Sequence, residues 1–339
     1  MRRGVWIALG AIVCAVAAGA AFAAFAWRAL HAELPIPPEG AWLDVTSGTP
    51  LRRVTTELGE RGLLEHPVLL DLYARLRGDA TRIRAGEYQL TRGLTPLSLV
   101  EKLVSGQVFQ HQLTIVEGWR FAELLNAIRA DEAIRAGKLD GAEIMLELGE
   151  PGVHPEGQFF PDTYFFPRGT TDLELLKTAH QALVEHLAKA WEARSPQIQV
   201  RTPYEALILA SIIEKETALA TERKLISGVF QQRLRRNMRL QTDPTVIYGL
   251  GDAFDGNLRR QDLDHDTPYN TYTRAGLPPT PIALPGNASL EAAVQPENSD
   301  ALYFVASGRG DGSHYFSATL EEHERAVHDY LRRLHSPEP

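Results

Sequence analysis

The sequence predicts an α+β protein carried on a single N-terminal transmembrane helix. Three observations carry that reading. The chain begins with an unbroken apolar run, a proline-rich stretch follows it, and the remainder alternates amphipathic helical segments with short strands. The 339 residues are 44% hydrophobic and 23% charged, the composition of a globular protein.

Residues 1–4 form a stub that carries Arg2 and Arg3, and Val5–Trp27 holds only apolar residues and glycine. At ~1.5 Å per residue this run spans ~34 Å, enough for a bilayer core. Basic residues before it favour a cytoplasmic N-terminus and an exported body, and Trp6 and Trp27 suit the two interfaces. The rival reading is a cleaved signal peptide. The run exceeds the usual ~7–15-residue apolar region of such peptides, and Ala24-Phe25-Ala26 is a weak cleavage site, so an anchor is the reading adopted. Cys14, the only cysteine, lies inside the run, so the body folds without an internal disulfide. Without Arg2 and Arg3 the formal charge of −8 becomes −10, a poor fit to nucleic acid, whose binding needs a basic stripe.

Residues 28–40, ending in Leu34-Pro-Ile-Pro-Pro-Glu-Gly40, read as a linker. A first unit, 41–107, opens with a strand at Trp42–Val45. Helices follow over Pro50–Arg61 (inward Leu51, Val54, Thr55, Leu58) and His66–Arg77 (inward Leu69, Leu70, Tyr73, Leu76). Ala85–Leu90 returns as a strand, and Thr95-Pro96 starts another helix. A second unit, 109–330, begins with a strand at Gln112–Val116 and a helix at Trp119–Arg129, with an ordered loop over Glu156–Gly169. Asp172–Ser195 is a long amphipathic helix. Thr202-Pro-Tyr-Glu205 combines an N-cap threonine, proline at the first helical position and glutamate at the third, a capping box that opens the central helix. Thr221–Asn237 is helical, Gln241–Gly249 a turn and short strand, and Asp264–Gly286 a long loop. A short helix starts at Leu290, Leu302–Ala306 and His314–Ser317 form a hairpin, and Leu320–Leu334 closes the fold, with 331–339 as tail.

The central helix carries the candidate chemistry. Glu214 adjoins its most apolar stretch, and a carboxylic acid in apolar surroundings is costly to ionise. An acid that keeps its proton near neutral pH can donate it to a leaving group. Glu216, two residues on, points to a different face, so the two cannot form a close dyad through that spacing. Three loops interleave rings with amides, hydroxyls and carboxylates: Glu156–Tyr164, Arg239–Tyr248 and Tyr269–Tyr272. That mixture suits a sugar, with its apolar faces and rim of hydroxyls. Other patterns fail on spacing. Gly308-Arg-Gly-Asp-Gly312 leads into a strand and reads as a turn, not a phosphate loop. His323 and His328 are five apart and do not share a helix face. Asp264-His-Asp266 reads as a solvated loop. No metal or cofactor is expected, and the body has no Gly-x-Ser-x-Gly elbow and no cysteine nucleophile.

Several motifs then occur in order: Val116-Glu-Gly-Trp-Arg-Phe121, Glu156–Tyr164, Leu209-Ala-Ser-Ile-Ile-Glu-Lys-Glu-Thr217, Met238–Gly249, Tyr269-Asn-Thr-Tyr272, Gly276–Ile282, Pro285-Gly286 and His314-Tyr-Phe316. On these the chain resembles the MltG-type (YceG-like) endolytic murein transglycosylases of bacteria. The resemblance implies a single-pass inner-membrane protein with a LysM-like subdomain at 41–107 and a catalytic domain at 109–330. It implies cleavage of MurNAc–GlcNAc β-1,4 bonds in nascent peptidoglycan strands, leaving 1,6-anhydro-MurNAc ends and terminating elongation. The family's catalytic glutamate is matched to Glu214, and wall-synthesis enzymes are expected partners. Gln158 and Glu324 depart from the family's usual residues. Ordinary glycosidases need two carboxylates. Here the sugar's own 6-hydroxyl replaces water, so one acid can serve both steps. Gln241, Asp243, Tyr248, Asn270, Tyr272 and Glu156 are the expected substrate-binding or acid-orienting residues. A hydrolytic muramidase using Glu214 with Asp243, and a silent glycan-gripping scaffold, are the alternatives.

Overall fold

A computed structural model describes residues 2–335. It divides into two compact units, one holding residues up to His111 with Phe166–Gly169, the other Gln112–Phe165 and the residues from Thr170 onward.

The first unit begins with α1, Arg2–His31. Its apolar side chains stand exposed, among them Trp6, Ile7, Val16, Phe22 and Trp27, and Trp6–His31 is long and apolar enough to cross a membrane. β1 (Ala41–Val45), α2 (Leu51–Glu60), α3 (Pro67–Arg77), β2 (Gly86–Leu90) and α4 (Pro96–Ser105) follow. β1 and β2 pair antiparallel, Ala41 opposite Leu90 and Val45 opposite Gly86. Their inward residues Leu43, Val45, Tyr88 and Leu90 join Leu51, Val54 and Leu58 of α2 and Leu99 and Leu103 of α4 in one core. Gly86 has φ +143°, and a Cβ there would lie 2.4 Å from Val108 Cγ1, so only glycine fits. Two expectations need correction. Leu76 is exposed, and the inner face of α3 is Leu70 and Ala74 with Leu69 and Tyr73 partly buried against the core. The segment read as a linker is packed, with Leu30, Leu34 and Ile36 buried in the core and Leu34 N–H bonded to Leu94 O at 2.7 Å.

The second unit holds all but the first residue of β3 (His111–Thr114), α5 (Phe121–Ala130), α6 (Gly141–Glu147), all but the last residue of β4 (Thr163–Phe166), α7 (Asp172–Glu192) and α8 (Pro203–Glu216). Then come α9 (Arg223–Arg235), α10 (Asp243–Leu250), α11 (Arg260–Asp264), α12 (Asn287–Val294), the hairpin strands β5 (Tyr303–Ala306) and β6 (His314–Ser317), and α13 (Leu320–His335). β3 pairs with β4, a strand inside the expected Glu156–Gly169 loop, and α6 was not expected. The 331–335 part of the expected tail is helical, and 336–339 lie outside the described residues.

Helix α8 is the axis of this unit, packed against α7, α9, α10 and α12. No residue from Ala206 to Ile213 exceeds 4% exposure, as befits a helix apolar all round. Burying its five leucines and isoleucines contributes up to about 10 kcal/mol. The one polar residue in the run, Ser211, is satisfied: its hydroxyl donates to Ile208 O at 2.7 Å and accepts Ile282 N–H at 3.0 Å, tying the long loop to the helix. Thr202 caps the helix by accepting Glu205 N–H, as expected. The return bond differs from a capping box, because Glu205 accepts from Arg201 N–H and not from the cap residue.

Candidate active site

The last turn of α8 carries both glutamates, and their surroundings differ. Glu216, the last residue of α8, borders a cavity of about 460 Å³ whose lining also includes Arg233, Gln241, Asp243, Tyr272 and the β5–β6 hairpin. Thr242 Oγ1 donates to Glu216 Oε1. Thr242 is the N-cap residue of α10, yet its hydroxyl makes no cap bond. An N-cap threonine contributes roughly 1 kcal/mol, and here that group serves the carboxyl instead. Burial, and then the nearby Asp243 charge, push Glu216 up to about 7, against the Thr242 bond and Arg233, which pull it down. Glu216 therefore holds its proton near neutral pH while facing a space large enough for sugar.

The walls of this cavity are fixed. Arg233 on α9 is buried and donates from Nε to Leu302 O at 2.7 Å and from Nη1 to Leu240 O and to Gln241 Oε1, at 2.9 and 3.2 Å. Gln241 has φ +50°, a left-handed backbone rarely taken by a residue with a side chain. Tyr272 donates its hydroxyl to Asp243 Oδ1 at 2.6 Å, and burial holds that phenol in its protonated, donor form. Gln241, Asp243 and Tyr272, three of the residues expected to bind substrate or orient Glu214, thus line one cavity with Glu216.

Glu214 meets different chemistry. Its side chain is only 6% exposed, but the surroundings expected to be apolar contain two donors. Arg223 Nη2 lies 3.2 Å from Oε1, and Gly286 N–H donates to Oε2 at 3.0 Å. Glu117 reaches the same guanidinium at 3.9 Å, and burial together with the Glu214 charge raises the Glu117 carboxyl above its ordinary range. Gly118 and Trp119 exchange backbone bonds with Leu284, and Lys215 Nζ donates to Gly118 O. Glu214 is not among the residues lining the 460 Å³ cavity. It joins α8, α9 and two loops.

Three other expected site residues lie away from the cavity wall. Glu156 is 3% exposed and accepts Phe121 N–H at 2.9 Å and the Tyr248 hydroxyl at 3.2 Å; burial pushes it up to about 7. Tyr248 packs edge-on against Tyr269 beneath the Arg120 guanidinium. Asn270 is fully buried, its amide donating to the carbonyls of Asp262, Leu263 and His265 while its oxygen accepts Tyr272 N–H. These three hold loops together and are not among the residues lining the cavity. Thr242 and His314 lie within motifs marked in the sequence, Met238–Gly249 and His314-Tyr-Phe316, but neither carries an expected role there, and Arg233 and Glu222 are not singled out at all. The one local signal was Thr242-Asp-Pro244, a helix start, which also explains why α10 is a helix where a strand was expected.

An acid-bearing cavity built at the end of a core helix defines an α+β enzyme-like site. The chain belongs to the YceG-like family, whose family model matches residues 43–329. It is 32% identical over 309 residues to a protein of Bacillus subtilis (strain 168) named endolytic murein transglycosylase, covering 85% of this chain and 84% of that one. A protein of the same name from Streptococcus pneumoniae (serotype 2, strain D39) is 29% identical over 322 residues, covering 85% of this chain and 58% of the other. A crystal structure of a YceG-like protein from Listeria monocytogenes matches with a TM-score of 0.54 and 31% identity, over 85% of this chain and 99% of that one.

Proposed function

We propose that this chain is a membrane-anchored endolytic murein transglycosylase in which Glu216, not Glu214, is the acid. The observation that carries the assignment is the carboxyl of Glu216: bound by a diverted capping threonine, held near 7, and open to the cavity walled by Gln241, Asp243 and Tyr272. The names of the relatives supply the substrate, murein.

Glu216 protonates the glycosidic oxygen as the bond to C1 breaks, and its carboxylate then takes a proton when the acid is regenerated. The nucleophile is the 6-hydroxyl of the same MurNAc residue, so no water is needed and proximity favours ring closure. The Tyr272–Asp243 pair offers a fixed polar edge to sugar hydroxyls. Glu214 holds the last turn of α8 through Arg223 and Gly286, and so sets where Glu216 stands.

The strand–helix–helix–strand order of β1, α2, α3 and β2 supports reading residues 41–107 as a LysM-like module. The exposed apolar surface of α1 supports a single membrane span, and Arg2 and Arg3 before it favour an orientation with the body outside the inner membrane. A reporter fused after Pro339 tests that orientation. The reaction is tested by digesting purified murein with the full-length chain in detergent and identifying glycan ends by mass spectrometry. 1,6-Anhydro-MurNAc ends are expected, and reducing ends would make the enzyme a hydrolase.

A further inference from the structure

The cavity holds a group that the single-acid scheme leaves idle. His314, the first residue of β6, lines it together with Glu216. Its Nδ1 lies 2.7 Å from Glu222 Oε2, and its backbone N–H donates to the other oxygen of the same carboxylate at 2.9 Å. Both side chains are mostly enclosed, at 14% and 12% exposure. Phe304 meets the imidazole edge-on at 5.5 Å and fixes its plane. Glu222 occupies the N-cap position of α9 and makes no side-chain cap bond there, so its carboxylate is committed to His314. A carboxylate at Nδ1 selects the tautomer that keeps the proton on that nitrogen and leaves Nε2 as an acceptor. Among the described residues nothing bonds to Nε2.

Resting on the transglycosylase reading above, we propose that His314 is a second proton-handling residue of this site. Its Nε2 accepts the 6-hydroxyl proton of MurNAc as that oxygen bonds to C1. The C1–O4 bond breaks, its electron pair stays on O4, and O4 takes the proton of Glu216. The products are a 1,6-anhydro-MurNAc end and a GlcNAc 4-hydroxyl. Transfer of the proton from the imidazolium to the Glu216 carboxylate restores both groups, and no water or co-reactant is consumed. Glu222 is the positioning residue: it orients the ring and stabilises the imidazolium formed on the way.

The test uses the full-length chain in detergent acting on purified murein, with rates read from anhydro ends and folding from thermal melts. His314→Ala is expected to lose about 10²–10⁴-fold in turnover, with part of it restored by added imidazole. His314→Gln keeps the polar bulk without a base and is expected to lose a similar amount. Glu222→Gln loses less. The proposal falls if either folded His314 variant keeps turnover within about threefold of the parent, or if imidazole restores nothing. If His314→Ala does not fold, the Gln variant decides. Glu216→Gln is run alongside: if it turns over, the acid assignment fails, a result separate from those of the His314 variants.

Discussion

Glu214 and Glu216 stand two residues apart on one helix and have opposite fates. Around Glu214 gather Glu117, Gly118, Arg223 and Gly286, and every polar atom of the carboxyl is tied to a cation or a backbone donor. Around Glu216 gather Thr242, Asp243, Gln241 and Tyr272, and the carboxyl faces open space. The recognised motifs therefore divide between the two: Val116–Phe121 and Pro285-Gly286 serve the first, Met238–Gly249, Tyr269–Tyr272 and His314–Phe316 the second. An ion pair makes a strut, whereas a carboxyl buried without a cation at hydrogen-bond distance keeps its proton and makes an acid.

The largest effect that would break this contrast is on turnover. Glu216→Gln is expected to lower kcat at least about 10³-fold while leaving the melting temperature near that of the parent. Glu214→Gln reverses the pattern. It leaves the half-shared guanidinium of Arg223 with only Glu117, costs on the order of 2 kcal/mol in stability, and retains measurable turnover. Paired melts and rates check both.

Acidity gives the next effect. With the Glu216 acid at about 7, activity is expected to fall as pH rises through 7. Thr242→Val removes a bond that favours the charged form, so the alkaline limb moves up. Asp243→Asn removes a repelling charge, so it moves down. Each shift is about 0.5–1 pH unit, read from pH–rate profiles of the two variants.

Stability carries the same sign. Glu216 and Glu156 are both raised from an ordinary 4.5 to about 7. The folded chain thus binds more protons than the unfolded one between those values. Their contribution is fully present below 4.5 and is lost as pH rises through 7. Denaturant melts at pH 5 and pH 8 are expected to show lower stability at the higher pH, with a smaller difference in Glu216→Gln. The smallest effect is that of Tyr248→Phe, which removes one of the two bonds to Glu156 and costs about 1 kcal/mol without changing kcat.

Much of this was legible in the sequence, and the exceptions share a physical cause. The apolar run of α1, the Thr202-Pro start of α8 and the glycine-rich turn between β5 and β6 are local signals, and a helix, a helix and a hairpin form there. Periodicity also separated the faces of Glu214 and Glu216. It could not tell which face is walled, because Arg223 and Gly286 come from other elements, the latter 72 positions beyond Glu214. Apolar neighbours in sequence led to the expectation of Glu214 as the acid, and the polar partners of its carboxyl come from neighbours in space. Asn270 and Glu156 were expected to bind substrate or orient the acid, because their loops interleave rings with amides and carboxylates. Here they satisfy backbone groups that the long loops would otherwise bury unpaired. His314 stood in a marked motif, but its pairing was not legible because its partner, Glu222, lies 92 positions away.

The central claim is which of two neighbouring carboxyls acts as the acid. The most direct measurement sets the glycan ends released from purified murein by the parent against those released by Glu214→Gln and Glu216→Gln, at equal folded concentration and pH 6. Anhydro-MurNAc ends from the parent and from Glu214→Gln, with none from Glu216→Gln, are the predicted result. Ends released by Glu216→Gln but not by Glu214→Gln would contradict it and return the chemistry to Glu214.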